Sequence, residues 1–334
     1  MALFSRRSKD AEPPTPPAEP VADQSVQDAA ATAVADTSSA ASVGISMSSF
    51  RGLGATTTPA QTPAAPARRS PDETFPGLKD NVLLRDSLAR YPEQPQPSDL
   101  LDLARQLLQG HLFLRVKGDA QALISEGKPL PLASITIGEQ RFAVAFSSGK
   151  ALADSIRADG DAGTSAMGQP VLLVLRNVLA SDAAGLAIDP SSAPARAILP
   201  RELIERMLSA LDEDLALKTL LAGARTDATA SAVVDAMTRA PLWVAVNRPA
   251  EGEGRIGVAE GRAPDGSRYL EVYSHPLEVV AMGRGDTAAP LSGARIAGAL
   301  RADDGLAGIV VDPRGPWIRL SRDDLAPLLA LSDS

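Results

Sequence analysis

Gly185-Leu186-Ala187-Ile188-Asp189-Pro190 and Gly308-Ile309-Val310-Val311-Asp312-Pro313 stand near the ends of two halves of the same chain. Each is a short apolar run bounded by glycine on one side and an Asp-Pro turn on the other. Runs of this length with such punctuation read as buried strands rather than helices. Their recurrence predicts that one small module has been duplicated.

Reading outward extends the match. Downstream lie a second strand, Ala195–Leu199 or Trp317–Leu320, and a terminal helix. That helix opens at Pro200-Arg201-Glu202 in one half and at Ser321-Arg322-Asp323-Asp324 in the other, where Ser321 and Asp324 form a capping box. Upstream, the alternation in Arg141-Phe142-Ala143-Val144-Ala145-Phe146 predicts a strand, matched by Tyr269–Ser274. The first pairs across Gly138-Glu139-Gln140 with Ile135-Thr136-Ile137; the second pairs across Pro264-Asp265-Gly266 with Ile256-Gly257-Val258. Ser148 or Ser274 caps the next helix, with Pro276 in the first turn of the second. Still further upstream, Phe113 in Leu112–Val116 falls in register with Trp243 in Leu242–Val246. Each of these strands follows an apolar helix, Leu100–Leu108 before Gly110 and Ala232–Met237 before Pro241. The order per module is helix, strand, hairpin, helix, helix, hairpin, helix.

The expected class is therefore α/β (α+β): two tandem related modules, each a small mixed sheet with packed helices. The modules span 99–208 and 229–334, joined by a connecting segment over 209–228. A helix over 80–90 within the 77–98 stretch, carrying Val82, Leu84, Leu88 and Tyr91, is expected to pack on the first module.

Composition sets what precedes them. Thirteen of the 27 prolines fall in the first 97 residues, amid Ala, Ser, Thr and Asp. Such a segment cannot offset an ordering entropy of about 1–2 kcal/mol per residue, so residues 1–76 are expected to form a disordered tail. One less polar island, Val43 to Gly54 with Ile45, Met47, Phe50 and Leu53, reads as a candidate docking motif.

The chain is acidic, with a formal net charge of −8 and no basic stripe, which argues against nucleic acid as a partner. It has no cysteine, which removes thiolate chemistry, disulfides and cysteine-ligated metals. No apolar run approaches the ~20 residues of a membrane span, and no secretory leader is legible, so the expected location is the cytoplasm.

The apolar helix, the aromatic-bearing strand, the strand ending in Phe-Ser or Tyr-Ser, the Gly-Leu/Ile-x-x-Asp-Pro run and the Leu-rich terminal helix resemble the SseB family N-terminal domain. The resemblance extends over about 99–208 and again over about 229–331, closest in the second copy. It implies an α/β fold and carries no established catalytic residue.

Chemistry-bearing constellations are sparse. Two histidines, His111 and His275, and no cysteine leave only carboxylates as metal ligands, and no cofactor motif is present. Asp159-Gly160-Asp161 reads as a solvated acidic loop, and Arg284-Gly285-Asp286 as the matching flexible turn. Ser274 and His275 are adjacent in a helix-entry turn, a poor geometry for a nucleophile–base pair. Trp243 is expected in the core and Trp317 at a groove or interface. The candidate interaction or ligand surface thus comprises Phe50, Asp161, His275, Asp286, Asp312 and Trp317. The expected function is that of a non-enzymatic interaction or regulatory protein with an unidentified protein partner. The alternative is a sensor of an amino acid or nucleotide bound between the modules. An enzyme of amino-acid metabolism rests on His275 alone.

Overall fold

A computed structural model describes residues 80–161, 163–247 and 257–331. Within them the fold mixes helices and sheets, and one strand order occurs twice. The first unit opens with α1 (Val82–Ala89) and α2 (Pro97–Leu107). Asn81 caps α1 by accepting from the Leu84 N–H at 3.1 Å, and Leu84 and Leu88, four apart, enter the core of this unit. Pro97 starts α2 where its missing N–H costs nothing, and the Asp99 carboxylate accepts from the Gln96 N–H at 2.8 Å.

The chain continues through β1 (His111–Lys117), α3 (Ala120–Ser125), β2 (Ser134–Ile137), β3 (Gln140–Ala145), α4 (Gly149–Asp159), β4 (Thr164–Pro170), α5 (Val171–Ala180), β5 (Gly185–Ile188), β6 (Ala197–Pro200) and α6 (Arg201–Ser209). The main sheet runs β2-β3-β5-β6, with β3 and β5 parallel at its centre and antiparallel strands at both edges. Leu186, Ile188 and Leu199 face one core with α2, α5 and α6; Phe142, Val144 and Ala187 face a second with Phe113, Ala151 and Leu152.

The second unit repeats this plan with α7 (Ala216–Ala222), α8 (Thr229–Met237), β7 (Leu242–Asn247), β8 (Gly257–Val258), β9 (Glu260–Arg262), β10 (Arg268–Val272), α9 (Pro276–Ala281), β11 (Thr287–Leu291), α10 (Gly293–Ala302), β12 (Leu306–Val311), β13 (Ile318–Ser321) and α11 (Ala326–Leu329). Its main sheet runs β9-β10-β12-β13, again parallel between the two central strands. Phe113 and Trp243 do fall in register. Each exchanges both backbone hydrogen bonds with the aromatic residue just after a central strand, Phe146 at 2.9 and 2.8 Å and Tyr273 at 2.9 and 2.8 Å. Arg201 and Arg322 also take the same place, each donating to carbonyls at the end of the preceding helix, Leu179 and Leu300 among them, at 2.5 Å in both cases. A Cβ at Gly185 would collide with the Leu199 carbonyl, and one at Gly308 with the Leu320 carbonyl, so both positions demand glycine.

Several expectations are corrected. Between the two middle helices of each unit lies a strand, β4 or β11, absent from the expected order. β4 pairs along its whole length with β1, from His111 opposite Pro170 to Lys117 opposite Thr164. Neither Thr164-Ser165-Ala166-Met167-Gly168-Gln169-Pro170 nor Thr287-Ala288-Ala289-Pro290-Leu291 has strand-like composition; pairing imposes the conformation. Pro290 is tolerated because β11 is an edge strand.

In the second unit β10 pairs with Glu260–Arg262, not with Gly257-Val258, which form β8 and pair with β7. The chain changes sheets at Ala259, whose N–H donates to Ala245 and whose carbonyl accepts from Glu271. Ser274 is not the cap of α9. His275 is, and Ser274 corresponds to Ser147.

The segment 209–228 is more than a connection. It holds α7, whose Leu217 and Leu221 enter the second core as Leu84 and Leu88 enter the first. Residues 1–76 and Phe50 lie outside the described residues. Among the described residues no helix is long and apolar enough to cross a membrane.

Candidate functional site

The expected site residues fall into three places. Asp312 and His275 lie at the seam between the units. Asp312 sits at φ 48° directly after β12, as Asp189 sits at φ 49° after β5, and both are buried. Each carboxylate accepts from a serine twice: Ser274 N–H at 2.8 Å and hydroxyl at 2.5 Å, Ser147 N–H at 2.8 Å and hydroxyl at 2.5 Å. Burial pushes Asp189 up to about 6 against the bonds from Ser147. Burial and the nearby Glu278 carboxylate raise Asp312 as well.

His275 does not join this pair. Its Nδ1 accepts from the Leu277 N–H at 3.1 Å, which leaves Nε2 to donate to the Met207 carbonyl of the first unit at 3.0 Å. Burial, reinforced by Lys218, lowers the imidazole to about 3. Ser274, His275 and Asp312 thus serve two separate hydrogen-bond sets rather than one relay.

Around them the seam is filled with charge. The buried Glu278 of α9 accepts from Lys218 of α7 and from Arg105 of α2, the latter at 3.3 Å. Arg105 also donates to the Gly315 carbonyl at 2.6 Å and to Asp102, which in turn accepts from Arg314 at 2.7 Å. A small molecule expected between the modules would have to displace these ion pairs.

Asp161 lies in an acidic loop that is solvated as expected, its side chain 45% exposed, whereas Asp286 lies in a turn closed by side-chain bonds. Arg115, buried on β1, reaches the loop after α4 and binds Asp159 (3.0 Å from Nη2 to Oδ1) and the Asp161 carbonyl at 2.9 Å. In the second unit the polarity is reversed. Arg284 in the loop after α9 donates to Glu271 on β10 at 3.1 Å, to the Tyr273 hydroxyl at 2.8 Å, and to Asp286 at 2.8 Å. The Asp286 side chain is itself almost buried. The shared Gly-Asp is turn chemistry, with Gly160 and Gly285 at φ 70° and 73°.

Trp243 is in the core. Trp317 is half-buried just before β13 and shares the guanidinium of Arg319 with Tyr269, 5.9 Å and 5.1 Å from the two ring centres.

One concavity was not expected. It is a groove of about 1230 Å³ on the first unit, between the α1–α2 linker, the sheet face of β2 and β6, and the β5–β6 turn. Tyr91, Ile135, Ile137, Pro194 and Ile198 line it, with Ile137 43% and Ile198 40% exposed. Two signals pointed to it: prolines at 92, 95 and 97 facing those at 190, 194 and 200, and isoleucines at 135 and 137 on one side of a strand. Strand register places Ile198 where the second unit has Arg319, and Arg196 where it has Trp317. Among the described residues no group of three or more His, Asp or Glu is placed to hold a metal.

The second unit has an α+β fold of its own, with a four-stranded mixed sheet and a three-stranded sheet. Residues 214–326 match the family model described as the SseB protein N-terminal domain. That stretch runs from just before α7 to the start of α11, so it covers the second unit almost from end to end. No curated protein and no solved structure matches the chain.

Proposed function

We propose that residues 80–209 are a diverged second SseB-like unit, and that the chain is a cytoplasmic, non-enzymatic protein that binds a protein partner through the first unit's groove. The duplication is supported by the common strand order, the matched Ser147–Asp189 and Ser274–Asp312 pairs, and the shared placement of Arg201 and Arg322. The groove carries the functional reading. It is long, open and apolar, and it leaves two large isoleucines exposed on one face, a pattern suited to an extended apolar peptide segment.

The test is a displayed peptide library selected on the full chain. Selected peptides should be rich in large apolar residues, and Ile198→Glu should weaken them at least tenfold while leaving the melting curve unchanged. Peptides that bind wild type and Ile198→Glu alike, or no selection at all, would overturn the groove as the binding site.

A further inference from the structure

In the second unit the place corresponding to the groove is occupied by a different set of side chains. Arg225, in the loop between α7 and α8, donates from Nη2 to the Trp317 carbonyl at 2.8 Å. Its other terminal nitrogen, Nη1, is buried and has no hydrogen-bond partner among the described residues. The indole Nε1 of Trp317 is likewise buried, with no acceptor among the described residues. Two strong donors on one contacting pair of residues are therefore unsatisfied, against the general rule that buried donors are paired.

Charge points the same way. Burial lowers the Arg225 pKa, and no carboxylate among the described residues compensates it. Arg319, exposed at its own position, adds a second cation above the Trp317 and Tyr269 rings. Asp265 lies within electrostatic reach of Arg319 and forms no ion pair with it among the described residues. The corresponding positions of the first unit hold Arg196 and Ile198, so the cluster is particular to the second.

We propose that Arg225 and Trp317 form a binding site for the oxyanion group, carboxylate or phosphate, of a small metabolite. The anion would accept from Arg225 Nη1 and Trp317 Nε1. Arg319 supplies further positive charge, and the two rings offer a flat surface for the ligand's apolar part. Both donors are covered in the structure, so binding requires the Arg225 side chain to shift with its loop. The site is separate from the groove and stands or falls independently of it.

The chain has two tryptophans, so Trp243→Phe leaves Trp317 as the sole indole reporter. Full-length protein carrying that change is titrated with inorganic phosphate, and separately with succinate, at ionic strength held constant with sodium chloride. The expected result is a saturable change in Trp317 emission with at least one of the two, and the responding anion identifies the source chemistry. Arg225→Gln should weaken the response about tenfold or more, Arg225→Lys by less, and Arg319→Gln measurably. Calorimetric titration of the chain with both tryptophans intact, with and without Arg225→Gln, gives the same reading should Trp243→Phe impair folding. The proposal is overturned by no saturation with either anion up to about 10 mM, as for donors satisfied by an ordered water only. It is equally overturned by a response that Arg225→Gln leaves unchanged.

Discussion

Asp189 and Ser147, forty-two positions apart, form the same two hydrogen bonds as Asp312 and Ser274: a serine N–H at 2.8 Å and a serine hydroxyl at 2.5 Å on one buried carboxyl group. The pair ties the end of one central strand to the end of its parallel neighbour. It also fixes the exit of the chain from the sheet in both units.

Because the folded state raises Asp189 to about 6, from 3.8 in a free chain, the folded protein binds this proton more readily than the unfolded one. Its contribution to stability is full below about pH 4 and is lost as the pH rises through about 6. Asp189→Asn is therefore expected to hold or raise unfolding stability at pH 7, by up to about 2 kcal/mol, and to flatten the slope between pH 4 and 6. Asp189→Ala should cost about 2–4 kcal/mol, since it orphans the Ser147 N–H and places alanine at φ 49°. Urea denaturation at the two pH values decides. Equal losses for Asn and Ala at pH 7 would mean that an ionised carboxylate is required.

His275 has the opposite sign. Its folded pKa of about 3 lies below the free value of 6.5, so its contribution is present above pH 6.5 and declines as the pH falls toward 3. By pH 4.5 the loss reaches roughly 2–3 kcal/mol. His275→Asn keeps a competent cap for α9 while removing the bond to Met207. It should be less stable at pH 7.5 by about 1–3 kcal/mol, and the decline below pH 6.5 should disappear. An unchanged decline would assign that slope to other groups.

Gly185→Ala and Gly308→Ala each drive a methyl group into the carbonyl of the adjacent antiparallel strand, Leu199 or Leu320. The loss expected is about 3 kcal/mol or more in either unit. Gly266→Ala, at a hairpin turn with open space around it, separates this collision from the cost of positive φ alone and should lose only about 1 kcal/mol. Thermal melts of the three variants compare them directly.

What the sequence disclosed depended on whether a residue's role was local. The apolar runs of β5 and β12 and the Phe113–Trp243 correspondence were legible from spacing. Ser321 and Asp324 do bond each other (2.8 Å from the Ser321 N–H), but Ser321 ends β13 and the terminal helix starts only at Ala326, with Leu325 at its cap. β4 and β11 were not, because their strand character comes from β1 and β7 rather than from their own residues. Of the site residues, Trp317 was singled out for its position. Its neighbour Arg225 was invisible, since it lies far back in the α7–α8 loop and meets Trp317 only in the folded unit. Ile198 escaped notice because an apolar residue in a strand reads as core until the sheet's open face is known.

The reversed polarity of the two loop anchors has a bearing on how a chain with two alike halves avoids misassembly. Arg115 awaits acids from the loop after α4, whereas Glu271 awaits a cation from the loop after α9. If the second loop closed over the first unit, Arg284 would find Val144 in the place of Glu271; in the converse exchange, Asp159 would find Ala245 in the place of Arg115. Two units of one topology on one polypeptide are prone to trading segments during folding. Here each half carries a lock that rejects the other's key, so the internal likeness that builds the molecule does not also scramble it.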